Sequence, residues 1–369
     1  MNFDFSEDQK FVQRTAAEYL ADHAPLSVCR EVLESDQPYA QELWKGAAAL
    51  GWLGTTIPEQ YGGAGLGYLE LAVIAEEVGR VLAPIPFGGS VYLATEALIL
   101  AGSPEQKQRY LPRLAAGEII GAFALAEGAG QTAADRVATR FDHGTLSGSK
   151  VPVLDGGVAD FAVVVARGEQ GISLALVDLD AEGVSVEPVT CFDPSRPQAR
   201  LEFAEAPAQQ LGEAVDGLAL VERVIDGAAV LTAFEQLGGA ARAFDITRQY
   251  LLERYAFGRP VASFQAIKHR LADLWCEIEL ARSNCYYGAW ALSCGEAELG
   301  VAAAVARIAA SDVFCKATQE MIQMHGGVGY TWEFDCHLFY RRAKLLAASL
   351  GSTSGWKRKL MDRLTQAAA

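Results

Sequence analysis

The spacing of apolar and polar residues divides this chain of 369 residues into three stretches. From residue 6 to about 120 the apolar positions recur at helical intervals, and Ser6 and Ser103 each stand where a helix would begin. A further helix is predicted from about Tyr68 to Leu82, after a glycine-rich loop. The first stretch is therefore predicted to be an all-helical domain, residues 1–120.

The middle stretch, residues 121–213, has the pattern of β-strands. Short runs rich in Val, Leu and Ile are separated by Gly and Asp, and no helical pattern lies between them. The predicted strands are Thr145–Leu154, Phe161–Ala166, Ile172–Asp178, Val184–Val189 and Ala199–Phe203. An antiparallel barrel or sandwich is therefore predicted rather than a parallel sheet.

The last stretch, residues 214–369, returns to a helical pattern. Apolar residues at alternating spacings of three and four predict one long helix of a bundle, and they are Phe264, Ile267, Leu271, Leu274, Ile278, Ala281 and Cys285. The expected fold is α+β and multidomain, with an N-terminal helical domain, a middle β-barrel or sandwich and a C-terminal four-helix bundle.

Composition excludes several classes of function. A net charge of −15 disfavours nucleic acid as a partner. No apolar run reaches the roughly 20 residues that cross a bilayer, and the acidic start of the chain argues against a signal peptide. The seven cysteines form no CxxC pair, so neither a metal site nor a disulfide framework is predicted. We expect a cytoplasmic protein.

Four stretches resemble, in their order and spacing, motifs of the acyl-CoA dehydrogenase family. They are Ile57–Gly63, Arg109–Glu118, Glu253–Pro260 with Phe264 and Gln265 soon after, and Gln323–Tyr330. The succession of helices, β unit and helices at this length also resembles that family. Residues 330–338 are similar to the branch of heteromeric enzymes that act in bacterial steroid side-chain breakdown.

Several of these residues suit a dinucleotide cofactor. Arg254 offers a planar fork of donors to a pyrophosphate, Phe257 offers an aromatic face, and Gly326 and Gly327 let backbone amides approach a ligand. From the residues alone, a surface arginine, a core phenylalanine and a tight turn are the favoured interpretations, and it is the resemblance that favours a cofactor. The resemblance implies FAD, contacted across a dimer interface through the adenosine diphosphate half by Arg254, Phe257, Gln265, Gln323, Gly326 and Gly327.

The chain departs from the family where the flavin ring is held by the same subunit. The family has a threonine–glutamate–proline–glycine–alanine–glycine–serine–aspartate loop, and this chain has Ala126–Thr132, in which Glu127 survives. In place of a tryptophan–isoleucine–threonine strand it has Lys150–Gly156, with Pro152 and Leu154 at the positions that meet the flavin. Because proline removes a ladder donor, Pro152 predicts an edge strand or a remodelled segment.

The catalytic base of the family is also missing. Desaturation of an acyl thioester needs a carboxylate to remove the α-proton while a hydride passes to the flavin. Leu350 and Ala228 occupy the two positions where the family places that glutamate, and Ala229 replaces an arginine that helps to bind substrate. Asp226 is a reserve candidate, although a helix-start acid in a solvated turn is its simpler interpretation.

Three hypotheses follow. The first is a subunit of an FAD-dependent acyl-CoA dehydrogenase that lacks the base and completes the FAD site of a homologous partner, with a steroid side-chain CoA ester as one candidate substrate. The second is a self-sufficient homotetramer that uses Asp226 as base. The third is a flavin-free binding or scaffold protein of the same fold. For the enzymes, the resemblance implies an acyl-CoA substrate and electron-transfer flavoprotein as electron acceptor.

Overall fold

The first part of the chain is helical. A computed structural model describes residues 5–128, 133–169, 171–212, 216–295 and 297–367. Its helices before the sheet are α1 (Glu7–His23), α2 (Leu26–Glu34), α3 (Gln41–Ala49), α4 (Tyr68–Arg80), α5 (Glu96–Ala101) and α6 (Pro104–Ala115), and a π-helical segment, Gly88–Thr95, leads into α5. Both predicted serine starts are confirmed as capping boxes, since Ser6 and Ser103 each accept from a backbone amide three residues on.

The middle part folds into one sheet. Its strands are β1 (Gly121–Ala124), β2 (Arg140–Asp142), β3 (Thr145–Leu154), β4 (Phe161–Gly168), β5 (Gly171–Asp178), β6 (Val184–Val189), β7 (Gln198–Pro207) and β8 (Gln209–Gln210). Their order is β6-β7-β3-β2-β4-β5-β8, and β1 lies beside β4. Neighbours are antiparallel except for β1 and β2, each parallel to β4. The five predicted strands are confirmed, while the short β1, β2 and β8 had no pattern long enough to predict them.

The last part is helical again. It contains α7 (Gly217–Glu253), α8 (Gln265–Cys294), α9 (Leu299–His325), α10 (Cys336–Ser349) and α11 (Thr353–Ala367), with a hairpin of β9 (Tyr255–Ala256) and β10 (Arg259–Pro260) between α7 and α8. The predicted seam of α8 is buried from Leu274 onward, and its first three positions are half-buried. No described helix has the length and apolar character needed to span a membrane.

The described residues group into two compact units. One contains those of 1–30, 72–83 and 229–369, and the other those of 31–71 and 84–228. In the first unit α4 and α7 cross at backbone contact: a Cβ on Gly238 would lie 1.8 Å from the carbonyl oxygen of Glu76. The three-domain division at 1–120, 121–213 and 214–369 stays a prediction, and the boundary at 213/214 lies outside the described residues.

Candidate cofactor site

The six residues predicted to contact FAD all lie at ends and turns of the C-terminal helices. Arg254 directly follows α7, Phe257 lies in the turn of the β9–β10 hairpin, and Gln265 is the first residue of α8. Gln323 lies in the last turn of α9, and Gly326 and Gly327 begin the turn after it. Each of the six is exposed in this chain.

An aromatic stack brings the ends of α7 and α9 together. The rings of Tyr250 and His325 stack with centroids 4.2 Å apart, and the Tyr250 hydroxyl donates to the His325 carbonyl oxygen at 3.4 Å. Phe334 packs against both rings. Since Tyr250 lies one turn before Arg254 and His325 directly precedes Gly326, this stack places Arg254 beside the glycine turn.

Two further contacts bring in the start of α8. The Val261 amide donates to the Arg254 carbonyl oxygen at 2.8 Å, which folds the hairpin back toward α7. Arg270, in the second turn of α8, pairs with Glu320 of α9 at 2.5 Å. The structure therefore brings Arg254, Gln265 and the α9 terminus to one end of the helices.

This end of the helices offers hydrogen-bond donors to an anion. Within the described ranges, the exposed Arg254 guanidinium makes no ion pair or hydrogen bond, so it is available to a ligand. Phe264 caps α8 without a side-chain bond, and its carbonyl oxygen accepts from the Ile267 amide. Among the described residues, the Gln265 and Ala266 amides at the start of this thirty-residue helix therefore have no partner. The buried Ser263 hydroxyl has no partner there either. This donor set fits a pyrophosphate.

Phe257 is the most exposed large apolar side chain of the region. It is 95% exposed, has a left-handed backbone conformation (φ +51°) and touches Phe264 only edge-on at 6.3 Å. An aromatic ring held out in this way gains its burial energy only when something else covers it. The predicted core phenylalanine is therefore excluded.

The glycine turn leaves room for a close approach. Gly326 has φ +63°, and its amide donates to the Gln323 carbonyl oxygen at the end of α9. A Cβ built on Gly326 or on Gly327 meets no atom of the chain within 4 Å. Packing within the described part of this chain therefore does not require glycine at 327. A ligand that approaches the backbone closely at this turn would explain why the residue is glycine.

His325 supports this turn, a role that the sequence analysis missed. The residue is 3% exposed, and its Nδ1 lies 2.7 Å from the Met321 carbonyl oxygen. Burial lowers the pKa of His325, so the ring is neutral near pH ~7. One feature of the sequence pointed to this support. Tyr250, which stacks on His325, lies four residues before Arg254, and residues at that spacing share a helix face.

The loop at the position of the family's flavin-binding loop is held by hydrogen bonds within the chain, but it lacks the polar side chains that the family's loop offers to the flavin. Glu127 accepts from the amides of Ala138 at 2.6 Å and Thr139 at 2.8 Å, and from Lys150 Nζ at 2.8 Å. The Val151 amide donates to the Ala126 carbonyl oxygen at 2.7 Å. These bonds are all internal to the chain. Residues 129–132 of the predicted loop, Ala129 to Thr132, lie outside the described residues.

The Glu127–Lys150 ion pair joins a half-buried carboxylate to a buried lysine. Burial opposes ionisation of Glu127, but the bonds from Lys150, Ala138 and Thr139 outweigh it and lower its pKa to about 2. Burial lowers the pKa of Lys150 to about 8 despite its bond to Glu127. Lys150 is fully buried and also donates to the Leu125 carbonyl oxygen. The pair thus fixes the loop to β3 and presents no free polar group.

Pro152 marks a remodelled strand rather than an edge. Strand β3 pairs with both β2 and β7, and its register with β7 shifts between Lys150 and Val153. Pro152 is exposed within that shift, where no ladder donor is needed. With Ala126, Pro152 and Leu154 at the positions expected to face a flavin, their side chains offer no hydrogen bond to it. The residues of the β unit therefore do not fit the flavin ring as those of the family do.

Neither family position for the base holds a carboxylate. Leu350 is buried, and its carbonyl oxygen accepts from the Trp356 indole at 2.9 Å. Ala228 and Ala229 are buried within α7. The simpler interpretation of Asp226, a helix-start acid in a solvated turn, is wrong: Asp226 lies in the third turn of α7 and is only 5% exposed.

Comparison with known protein families matches both helical parts of the chain to one family. Residues 6–118 match the family model for the N-terminal domain of acyl-CoA dehydrogenase, and residues 215–364 match the model for its C-terminal domain. The chain is 34% identical over 360 residues to the acyl-CoA dehydrogenase IpdE2 of Mycobacterium tuberculosis, a match that covers 96% of each chain.

Two solved structures are similar over almost the whole length. A glycine-to-alanine variant of the Tcur3481–Tcur3483 steroid acyl-CoA dehydrogenase is 33% identical with a TM-score of 0.90, covering 98% of this chain and 99% of that one. The ChsE4–ChsE5 complex of Mycobacterium tuberculosis is 27% identical with a TM-score of 0.90, covering 99% of each. The chain belongs to the acyl-CoA dehydrogenase family of FAD-binding oxidoreductases, which act on the CH–CH bond of acyl-CoA thioesters.

Proposed function

We propose that this chain is the non-catalytic subunit of a two-chain acyl-CoA dehydrogenase and completes the FAD site of a homologous partner. One contrast supports the proposal. The donors and aromatic face suited to the adenosine diphosphate half of FAD are exposed and unused in this chain, whereas the positions for the flavin ring and the base hold Ala126, Pro152, Ala228 and Leu350.

The residues of this chain would act by binding and orienting the cofactor. Arg254 would bind the pyrophosphate together with the first amides of α8, and Phe257 would cover one edge of the dinucleotide. Gln265 and Gln323 would hydrogen-bond its polar edges, and the glycine turn would bring backbone amides close. Bound FAD supplies the hydride acceptor, and the proton acceptor would come from the partner.

The relatives support a substrate of the steroid type. One solved relative is described as a steroid acyl-CoA dehydrogenase, and another is a complex of two chains, ChsE4 and ChsE5. We therefore propose a CoA ester of a steroid side chain or a degraded steroid as substrate, with electron-transfer flavoprotein as electron acceptor.

The stoichiometry of flavin tests the proposal. We expect the chain purified alone to be colourless, and co-expression with its homologous partner to give a yellow complex containing about one FAD per two chains. Denaturing the complex and measuring released flavin against total protein gives the ratio directly. One FAD per chain, with turnover by the isolated chain, would refute the proposal.

A second candidate is a self-sufficient enzyme that uses Asp226 as base. The burial of Asp226 supports this candidate, because a carboxylate is buried only where a partner or a reaction uses it. In that case Asp226→Asn would abolish reduction of bound flavin by acyl-CoA in anaerobic stopped-flow traces. Reduction at the wild-type rate in that variant would eliminate this candidate.

A further inference from the structure

The β9–β10 hairpin carries a second exposed arginine close to Arg254. Arg259 pairs with Ala256 across the hairpin, and the bond from the Val261 amide to the Arg254 carbonyl oxygen continues this pairing by one residue on each strand. Because side chains alternate between the two faces of such a pair, Arg254, Ala256 and Arg259 lie on one face. Arg254 and Arg259 are diagonal neighbours there, with Cβ atoms about 7 Å apart. The hairpin therefore presents two guanidinium groups on the same side.

The two arginines lie in a basic stretch of an acidic chain. Residues 254–272 include four lysines and arginines but no Asp or Glu, although the net charge of the whole chain is −15. Of these cations Arg270 is paired with Glu320, whereas neither Arg254 nor Arg259 makes an ion pair among the described residues. Like charges on neighbouring positions of a hairpin repel each other, so an anion from outside the chain would stabilise this face.

Arg259 is held by an aromatic ring rather than by an acid. Its Cζ atom lies 4.0 Å from the centroid of the Phe264 ring, and Phe257 meets the same ring edge-on at 6.3 Å. A cation–π contact orients a guanidinium without engaging an acceptor oxygen, so its N–H donors remain available to a ligand. Phe264 directly precedes Gln265, one of the predicted cofactor contacts. The contact therefore holds Arg259 at the same end of the helices as the candidate cofactor site.

We infer that Arg259 is a second pyrophosphate-binding residue, which together with Arg254 binds the two phosphate groups of the FAD held by the partner chain. The inference rests on the proposed function, because it assumes that this chain contributes to a neighbour's FAD site. A pyrophosphate carries negative charge on each phosphate, so it offers acceptor oxygens to both guanidinium forks and offsets the repulsion between them. Phe264 orients Arg259 before the cofactor binds, which lowers the entropy cost of binding.

Equilibrium titration of FAD into the flavin-stripped two-chain complex tests this inference. With Arg259→Gln in this chain alone, FAD should bind about five- to tenfold more weakly. The wild-type affinity should fall between about 0.1 M and about 1 M salt, because the Debye length shrinks from about 10 Å to about 3 Å. The fall should be shallower in Arg259→Gln, because one cation of the contact is missing. A merely structural role of Arg259 would lower the affinity without changing its salt dependence.

Matched variants separate the charge of Arg259 from its packing. Arg248→Gln removes an exposed arginine of α7 outside the hairpin, so the FAD affinity and its salt dependence should stay as in wild type. Arg259→Lys keeps the charge but loses the planar fork, so it should retain the salt dependence and recover part of the affinity. Phe264→Leu should weaken FAD binding by itself but add little to Arg259→Gln, because the ring acts through Arg259.

The outcomes distinguish this inference from the proposed function. FAD affinity and salt dependence equal to wild type in Arg259→Gln would overturn the inference, and strictly additive effects of Arg259→Gln and Phe264→Leu would overturn the orienting role of the ring. If Arg259→Gln weakens association of the two chains in analytical ultracentrifugation but not FAD binding, a carboxylate of the partner is the acceptor and the inference fails. One FAD per chain and turnover by the isolated chain, with the Arg259 effect unchanged, would contradict the proposed function alone.

Discussion

Replacing Arg254 by glutamine removes the main cation of the candidate cofactor site at little cost to the fold. The side chain is exposed and makes no ion pair among the described residues, so we expect its loss to change the free energy of unfolding by less than about 0.5 kcal/mol. Hydrogen bonds to charged groups contribute about 1.5–3 kcal/mol, and every 1.4 kcal/mol is a factor of ten. Because solvent screens an exposed site, we take the lower end: FAD should bind about ten- to thirtyfold more weakly.

The assay is an equilibrium titration of FAD into the flavin-stripped two-chain complex, followed by quenching of flavin fluorescence. Arg248→Gln is the matched control, since Arg248 is an exposed arginine on the same helix but lies about 120° around it from Arg254. Arg254→Lys should recover part of the affinity, because a point charge replaces the bidentate fork. If Arg254→Gln binds FAD as tightly as Arg248→Gln and wild type, Arg254 has no cofactor role.

Four further substitutions test the packing, the glycine turn and the loop anchor. Gly238→Ala should lower the free energy of unfolding by about 3 kcal/mol in chemical denaturation, because its Cβ would lie 1.8 Å from the Glu76 carbonyl oxygen. Gly327→Ala, whose Cβ meets nothing within 4 Å, should melt as wild type yet bind FAD more weakly. A Gly327→Ala variant that melts at a lower temperature but binds FAD as wild type does would contradict the assignment. Lys150→Met should cost about 2 kcal/mol, since it leaves the half-buried Glu127 carboxylate without its cation. A melting temperature equal to wild type would show that the pair is not anchoring the loop. Because the folded pKa of Glu127 is lowered from 4.5 to about 2, its contribution to stability is complete above pH ~5 and is lost as the pH falls toward ~2. Between these pH values the free energy of unfolding should therefore fall by about 3 kcal/mol less in Glu127→Gln than in wild type. Identical acid titrations of the two proteins would refute this.

Sequence patterns predicted those elements whose signal is local. Ser6 and Ser103 each cap a helix because the serine hydroxyl accepts from the amide of a glutamine three residues on, and the glutamine side chain accepts from the serine amide. That spacing is visible in the sequence. The five longer strands of the sheet were also predicted, since each repeats Val, Leu or Ile over several residues. Strand β1, with only four residues, is defined by its pairing with β4 and not by its own composition.

The sequence did not determine the features that depend on tertiary packing. Asp226 was interpreted as a solvated acid, yet it is buried in a part of α7 where Val221 and Val224 are also buried. The sequence left open whether Pro152 lies at an edge or in a remodelled segment, because that depends on which strands flank β3, and this is a property of the sheet.

The two halves of the candidate FAD site depend on different parts of the structure, and this explains how one could change while the other stayed. The residues suited to the adenosine diphosphate half are fixed by the stack of Tyr250, His325 and Phe334 at the helix ends. The positions for the flavin ring depend on β3 and on the Glu127–Lys150 anchor, which belong to the other compact unit. Substitutions at sites with no shared partners act almost independently, so replacements at Pro152 and Ala126 need not disturb Arg254 or the glycine turn. A chain can therefore lose its own flavin chemistry and still contribute half of a neighbour's site. The exposure of Phe257 fits that proposed contribution, because an uncovered ring brings its own chain no stability.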